Sequence, residues 1–271
     1  MIIDGHAHAC GDYLNSELIS RHLDKYGVDM VVLTAGELNS SKTYSMKDIT
    51  SKKPYADVVN NLKYVIKTVV ALTGAAKQIP IGNKYVFNLK KQNSRVKQFY
   101  WITKESIAEL KENYRGMNFE GVKIHQCWVK RKITSKWFSE LTVFLLEEDL
   151  PLFIHLDTYK EIEELLLIGQ KESRLKIIIG HSFGIERFIR EPDKLSPNFY
   201  FDISNSYFVS RERIMEAVHK IGAHRLLLGS DTPYGQDSLG LTIQRVRNLP
   251  ISQEEKDGIL GRNLGGLIGL V

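Results

Sequence analysis

Short apolar, β-branched runs alternate along the chain with longer stretches whose apolar positions recur at helical spacing. The runs predict strands at Ile2-Ile3, Met30–Leu33, Phe99–Ile102, Gly121–Ile124, Leu152–His155, Lys176–Ile179, Tyr200–Ile203 and Leu226–Leu228. Helical periodicity fills the gaps, for instance Leu141, Phe144 and Leu145 in one segment and Ile162, Leu165 and Leu166 in another. This alternation is the pattern of a parallel sheet wrapped by helices. Eight such units predict a (β/α)8 TIM barrel, and the chain length suits a single barrel domain over residues 1–271. An open sheet has the same alternation, so the pattern alone leaves closure undecided.

One interval breaks the spacing. Residues 35–95, between the second and third strands, form an insertion with a polar segment (Ser40-Ser41, Thr43, Ser45), a predicted helix from Asp57 to about Ala76, and a predicted turn at Pro80/Gly82. Because it follows a strand, it should emerge on the C-terminal face of the barrel, where active sites of this fold sit. A substrate-contacting cap and a decorated surface loop are equal readings of it.

Composition narrows the class. Hydrophobic residues make up 43% of the chain and charged residues 25%, an ordinary globular balance. The two cysteines, Cys10 and Cys127, are too few for a disulfide framework, which suits a reducing compartment. No apolar run of about 18 residues is present, so no membrane span is expected. The opening Met1-Ile2-Ile3-Asp4-Gly5-His6 lacks the basic-then-apolar pattern of a secretory leader. The expectation is a cytoplasmic protein. The formal charge is +5, with basic clusters at Lys90-Lys91, Arg95, Lys97 and Lys130-Arg131-Lys132. No helix-turn-helix, RNP or zinc-finger pattern accompanies them, so they read as a solvated surface that steers anionic small molecules, not as a nucleic-acid interface. A homo-oligomer is left open.

The residues that can do chemistry sit at strand ends. The first strand closes with His6-Ala7-His8, and residues two apart in an extended chain point to one face. Two converging imidazoles suit a borderline metal such as zinc. The fifth predicted strand ends in His155, the sixth in His181, and Leu226-Leu227-Leu228-Gly229-Ser230 leads to Asp231. By the same alternation Phe153 shares a face with His155 and Leu227 with Asp231, while Ile154 and Leu228 face the helices. A hydrogen-bonded histidine or a helix-capping aspartate explains any one of these alone. Packing does not explain the set, because a barrel gathers its strand ends around one opening.

These residues carry a resemblance to the amidohydrolase superfamily, in its branch of amidohydrolase-related metal-dependent hydrolases. The motifs are Ile3-Asp4-Gly5-His6-Ala7-His8, Gly121-Val122-Lys123-Ile124-His125, Phe153-Ile154-His155, Ile179-Gly180-His181, Phe201-Asp202-Ile203-Ser204 and Leu228-Gly229-Ser230-Asp231-Thr232-Pro233, with Ile259-Leu260-Gly261-Arg262-Asn263-Leu264 resembling the closing helix. The resemblance spans nearly the whole chain except the insertion. It implies that His6, His8, His155 and Asp231 bind one divalent ion, Zn2+ before Mn2+. It further implies that His181 polarises substrate or shuttles protons, and that Asp231 also accepts a proton. Lys123 has several readings: a charged residue lining the site, a carbamate bridging two ions as in binuclear relatives, a partner of Asp202, or a binder of a substrate carboxylate. The charged form is favoured. His125 reads as a substrate contact or a structural residue, and Asp202 as a partner orienting His181 or Lys123. Trp128 and Cys127 fall on the rim after the fourth strand, and the resemblance gives Cys10 no role.

The expected activity is metal-dependent hydrolysis of a C–N or C–O bond in a small, carboxylate-bearing substrate. Non-oxidative decarboxylation is the second reading, since the same branch contains such enzymes. A barrel that has lost catalysis and only binds is the third, but it predicts missing ligands, and every expected position is filled.

Overall fold

The computed structural model describes residues 1–73 and 79–270. Eight parallel strands follow one another in the order of the sequence: β1 (Ile3–His8), β2 (Met30–Thr34), β3 (Val96–Trp101), β4 (Gly121–His125), β5 (Leu152–His155), β6 (Ile177–Ile179), β7 (Phe199–Asp202) and β8 (Leu226–Leu227). The helices are α1 (Ser16–Tyr26), α2 (Val58–Thr73), α3 (Ile79–Gln92), α4 (Ile107–Met117), α5 (Lys136–Glu147), α6 (Tyr159–Lys171), α7 (Ile185–Phe188), α8 (Arg211–Ile221), α9 (Ser238–Arg247), α10 (Gln253–Asp257) and α11 (Asn263–Leu267). The ends of the sheet meet through β1 and the segment after β8. Gly5 N–H donates to Leu228 O (3.0 Å), Asp231 N–H to His6 O (2.7 Å) and His8 N–H to Thr232 O (2.8 Å). The protein is a (β/α)8 barrel.

Strand alternation sorts the core into two layers. Ile3, Val32, Phe99, Phe153, Ile178 and Leu227 fill the inside, closed below by Leu264 and Leu267 of α11. Ile154, Ile177, Ile179 and Leu228 belong to the outer layer between sheet and helices. Each such side chain contributes about 1.5–3 kcal/mol on burial. In β1 the register shifts between Asp4 and Ala7. Ile3 lies in the inner layer, and three residues on the His6 ring packs against the inner Phe153, 4.6 Å between centroids. Strict alternation would put the two on opposite faces. The bulge turns His6 inward, as bulges beside active sites do.

The insertion departs from its sequence reading at one place. Pro80 and Gly82 make no turn; both lie in α3, which packs between β2 and β3 as a regular barrel helix. Gly82 permits close approach, since a Cβ there would stand 2.7 Å from the Cβ of Ala35. Asn83 then ties α3 to β3, its side chain bonding both the N–H and the carbonyl of Trp101 (2.9 and 2.8 Å). β3 also begins three residues earlier than Phe99, because the polar Gln98 is buried and donates to Asn83 O (2.9 Å). The expected helix of the insertion is α2, and residues 74–76 of that expectation lie outside the described residues. The stretch before α2 runs over the strand ends. Tyr44 exchanges backbone hydrogen bonds with Pro233 and Gly235, and Asp57 accepts the N–H of Gly184 (2.8 Å).

Candidate metal centre and active site

The residues singled out at the strand ends come together at the C-terminal mouth. Among the described residues, two groups are spaced to hold a metal ion: His6 with His155 and His181, and His6 with His8 and Asp231, ligand atoms within 4.8 Å in each. All five side chains are buried.

Three of the imidazoles have Nδ1 committed to an acceptor. His6 Nδ1 bonds Asp202 Oδ2 (2.9 Å) with Ser204 Oγ also at 2.9 Å, His8 Nδ1 donates to Ala35 O (2.7 Å), and His181 Nδ1 donates to Ser204 O (2.8 Å). A carboxylate or carbonyl oxygen can only accept, so each Nδ1 carries a proton, and in the neutral ring Nε2 is left as a lone pair. Those lone pairs face Asp231: His6 Nε2 lies 3.6 Å and His8 Nε2 3.5 Å from Oδ1, and His181 Nε2 lies 3.8 Å from Oδ2. Nε2 of His155 is buried without a hydrogen-bond partner among the described residues. Its ring stands 5.2 Å from that of His6 and 4.6 Å from that of His181. Lone pairs and a carboxylate aimed at each other without a proton between them repel. Such a donor set fits a divalent cation, and the outer bonds to Nδ1 are those that orient metal-binding histidines.

Burial holds His6 down to about 3, reinforced by the Lys123 charge, and lowers His8 and His155 as well. Burial alone would raise Asp231; positive charge at His181, His8 and His6, were those rings protonated, outweighs burial and lowers the carboxyl. Burial brings Lys123 down to about 7, against the pull of Asp231 and Asp202. The amine meets His6 Nε2 at 2.9 Å and Thr34 Oγ1 at 3.5 Å. Asp202 therefore reaches Lys123 only through the His6 ring that both bond. It also accepts the His181 backbone N–H (3.0 Å) and the Ser204 hydroxyl (2.6 Å).

Both ends of this arrangement use unusual backbone. His181 (φ 52), Ser182 (φ 50) and Asp231 (φ 59) occupy the left-handed region, which costs a non-glycine residue about 1 kcal/mol or more and marks a site the surroundings enforce. Gly180 lacks a side chain for cause: a Cβ there would stand 2.8 Å from His155 Nε2. Sequence reasoning missed Ser204's part in the network and the Asp4 brace behind β1. Asp4 accepts from Tyr13 OH (2.8 Å), Ser230 N–H (2.8 Å) and Ser230 Oγ (2.7 Å).

An aromatic wall surrounds the centre. His125 stacks on His155 at 4.3 Å and on Trp101 at 5.7 Å, and its Nδ1 is buried without a partner among the described residues. Trp128 packs against both Trp101 and His125. Tyr234 stands edge-on to His8 and Phe208 to His181. The aromatic residues at the end of β3 and after Asp231 were readable as rim positions, but only their topology marked them. Cys10 is buried nearby, and burial pushes its thiol up to about 12.

No family model matches the sequence, and no curated protein matches it. Solved structures match over the whole barrel. One is 5-carboxyvanillate decarboxylase from Sphingomonas paucimobilis, with a TM-score of 0.64 and 14% identity over 100% of this chain and 99% of the other. A second is 4-oxalomesaconate hydratase from Rhodopseudomonas palustris, with a TM-score of 0.65 and 14% identity over 100% and 96%. A third is a dihydroxybenzoic acid decarboxylase from Polaromonas sp. JS666, with bound manganese and the inhibitor 2-nitroresorcinol, at a TM-score of 0.60 and 16% identity over 99% and 97%. A putative amidohydrolase, a hydratase and decarboxylases are among the structural neighbours. The fold is theirs. Among the described residues no helix is long and apolar enough to cross a membrane.

Proposed function

We propose that the protein is a metal-dependent hydrolase that cleaves a C–N or C–O bond of a small, carboxylate-bearing molecule. The observation that carries this reading is the set of Nε2 lone pairs of His6, His8 and His181 aimed at Asp231, with the partnerless Nε2 of His155 beside them. His6, His8, His155 and Asp231 would hold one divalent ion, Zn2+ or Mn2+. When bound, such an ion lowers the pKa of water to about 7 and polarises a carbonyl. His181, with its Nδ1–H given to Ser204 O, keeps Nε2 free to take and return a proton next to Asp231. Lys123 and His125 would face the substrate, the lysine as a cation and the histidine through its unpaired Nδ1. The stretch before α2 would serve as a cap within one barrel domain.

Decarboxylation is the second reading, and the aromatic wall of Trp101, Trp128 and His125 favours it, because a flat apolar chamber suits a planar unsaturated acid. The test pairs elemental analysis with product analysis on a panel of aromatic and unsaturated acids, esters and lactones. One ion per chain with water incorporated into product supports hydrolysis. Carbon dioxide release without water incorporation supports the second reading. A chain that takes up no ion from Zn2+ or Mn2+ overturns both.

A further inference from the structure

Lys123 is wholly buried, and its amine sits where a metal ligand is needed. Because His6 Nδ1 gives its proton to Asp202, Nε2 holds the lone pair of that ring. The Lys123 amine, 2.9 Å away, occupies this lone pair as a donor. His6 belongs to both metal-spaced groups, so the bond blocks each of them. A second place for the amine lies close by. Thr34 Oγ1, whose own proton goes to Ala7 O (3.3 Å), stands 3.5 Å from Nζ with a lone pair to spare. The face of Trp101 lies 4.6 Å from the same atom and welcomes a cation.

We infer that Lys123 is a built-in competitor of the metal ion: it holds the His6 lone pair in the ion-free protein and withdraws toward Thr34 and Trp101 when an ion is gripped. The inference rests on the metal reading of this site. It is the opposite of a lysine converted by carbon dioxide into a ligand, which would strengthen ion binding. Here the lysine weakens binding and keeps the centre from closing on an ion too tightly to exchange it.

The test measures dissociation constants for Mn2+ and Zn2+ by competition with a chelator. Wild type and Lys123→Met are compared, and wild type is measured with and without bicarbonate. The expected result is binding about tenfold tighter in Lys123→Met, the order set by removing one buried hydrogen bond that the ion must displace. Wild type should be indifferent to bicarbonate. Equal or weaker binding by the folded variant overturns the inference. Should the variant fail to fold, bicarbonate-dependent tightening in wild type overturns it, and indifference supports it. Uptake by the variant alone supports it in its strongest form. If neither chain binds either ion, the metal reading itself falls, a result distinct from loss of the lysine effect alone.

Discussion

His6 has no idle atom in its ring: Nδ1 is fixed by Asp202 and Ser204, and Nε2 is the lone pair the centre turns on. Asp202 sets which nitrogen carries the proton, so Asp202→Asn should weaken ion binding about ten- to a hundredfold while the barrel stays folded. Isothermal titration with Mn2+ checks this, and an unchanged constant would remove Asp202 from the site. His181 has a different duty. His181→Asn should keep its ion by elemental analysis and lose at least about a hundredfold in turnover, the usual contribution of a positioned proton carrier. Retained turnover in that variant excludes the proton role. At this scale the sequence was legible where a polar side chain ends an apolar strand, as at His155 and Asp231. It was not legible where partners are set by distance along the barrel. The bond from Asp202 to His6 crosses 196 positions, and nothing local announces it.

The elements show the same division. All eight strands were readable from apolar runs, and β3 was trimmed only because Lys97 and Gln98 interrupt the pattern on a strand whose polar Gln98 is buried. α3 was misread because Pro80 and Gly82 are turn residues by composition, whereas here both lie within the described helix and glycine lets it touch Ala35. Gly82→Val should therefore destabilise by about 1–3 kcal/mol through overpacking at the end of β2. Urea unfolding measures it, and a variant as stable as wild type would mean that α3 has room to spare. The bulge in β1 was equally hidden, since the spacing of His6 and His8 is the same with or without it.

For the whole molecule, an ion that binds only the folded barrel must stabilise it. At a hundredfold excess over Kd the gain is about 2.7 kcal/mol, which for a chain of this size raises Tm by about 5–10 °C. Thermal unfolding with Mn2+ or Zn2+, and again after chelation, checks this. His6→Ala combined with His8→Ala should abolish both the shift and stoichiometric uptake; full retention of the ion there would refute the ligand set. The closing of the cylinder was only half legible, because strand count does not distinguish a barrel from an open sheet. The seam that closes it joins the first strand to residues near the far end, with Ser230 bonded to Asp4 across 226 positions. One consequence concerns biosynthesis. A growing polypeptide owns the histidines of β1 early and Asp231 only after most of the chain has been made, so the proposed four-ligand set would be complete only in a nearly full-length chain.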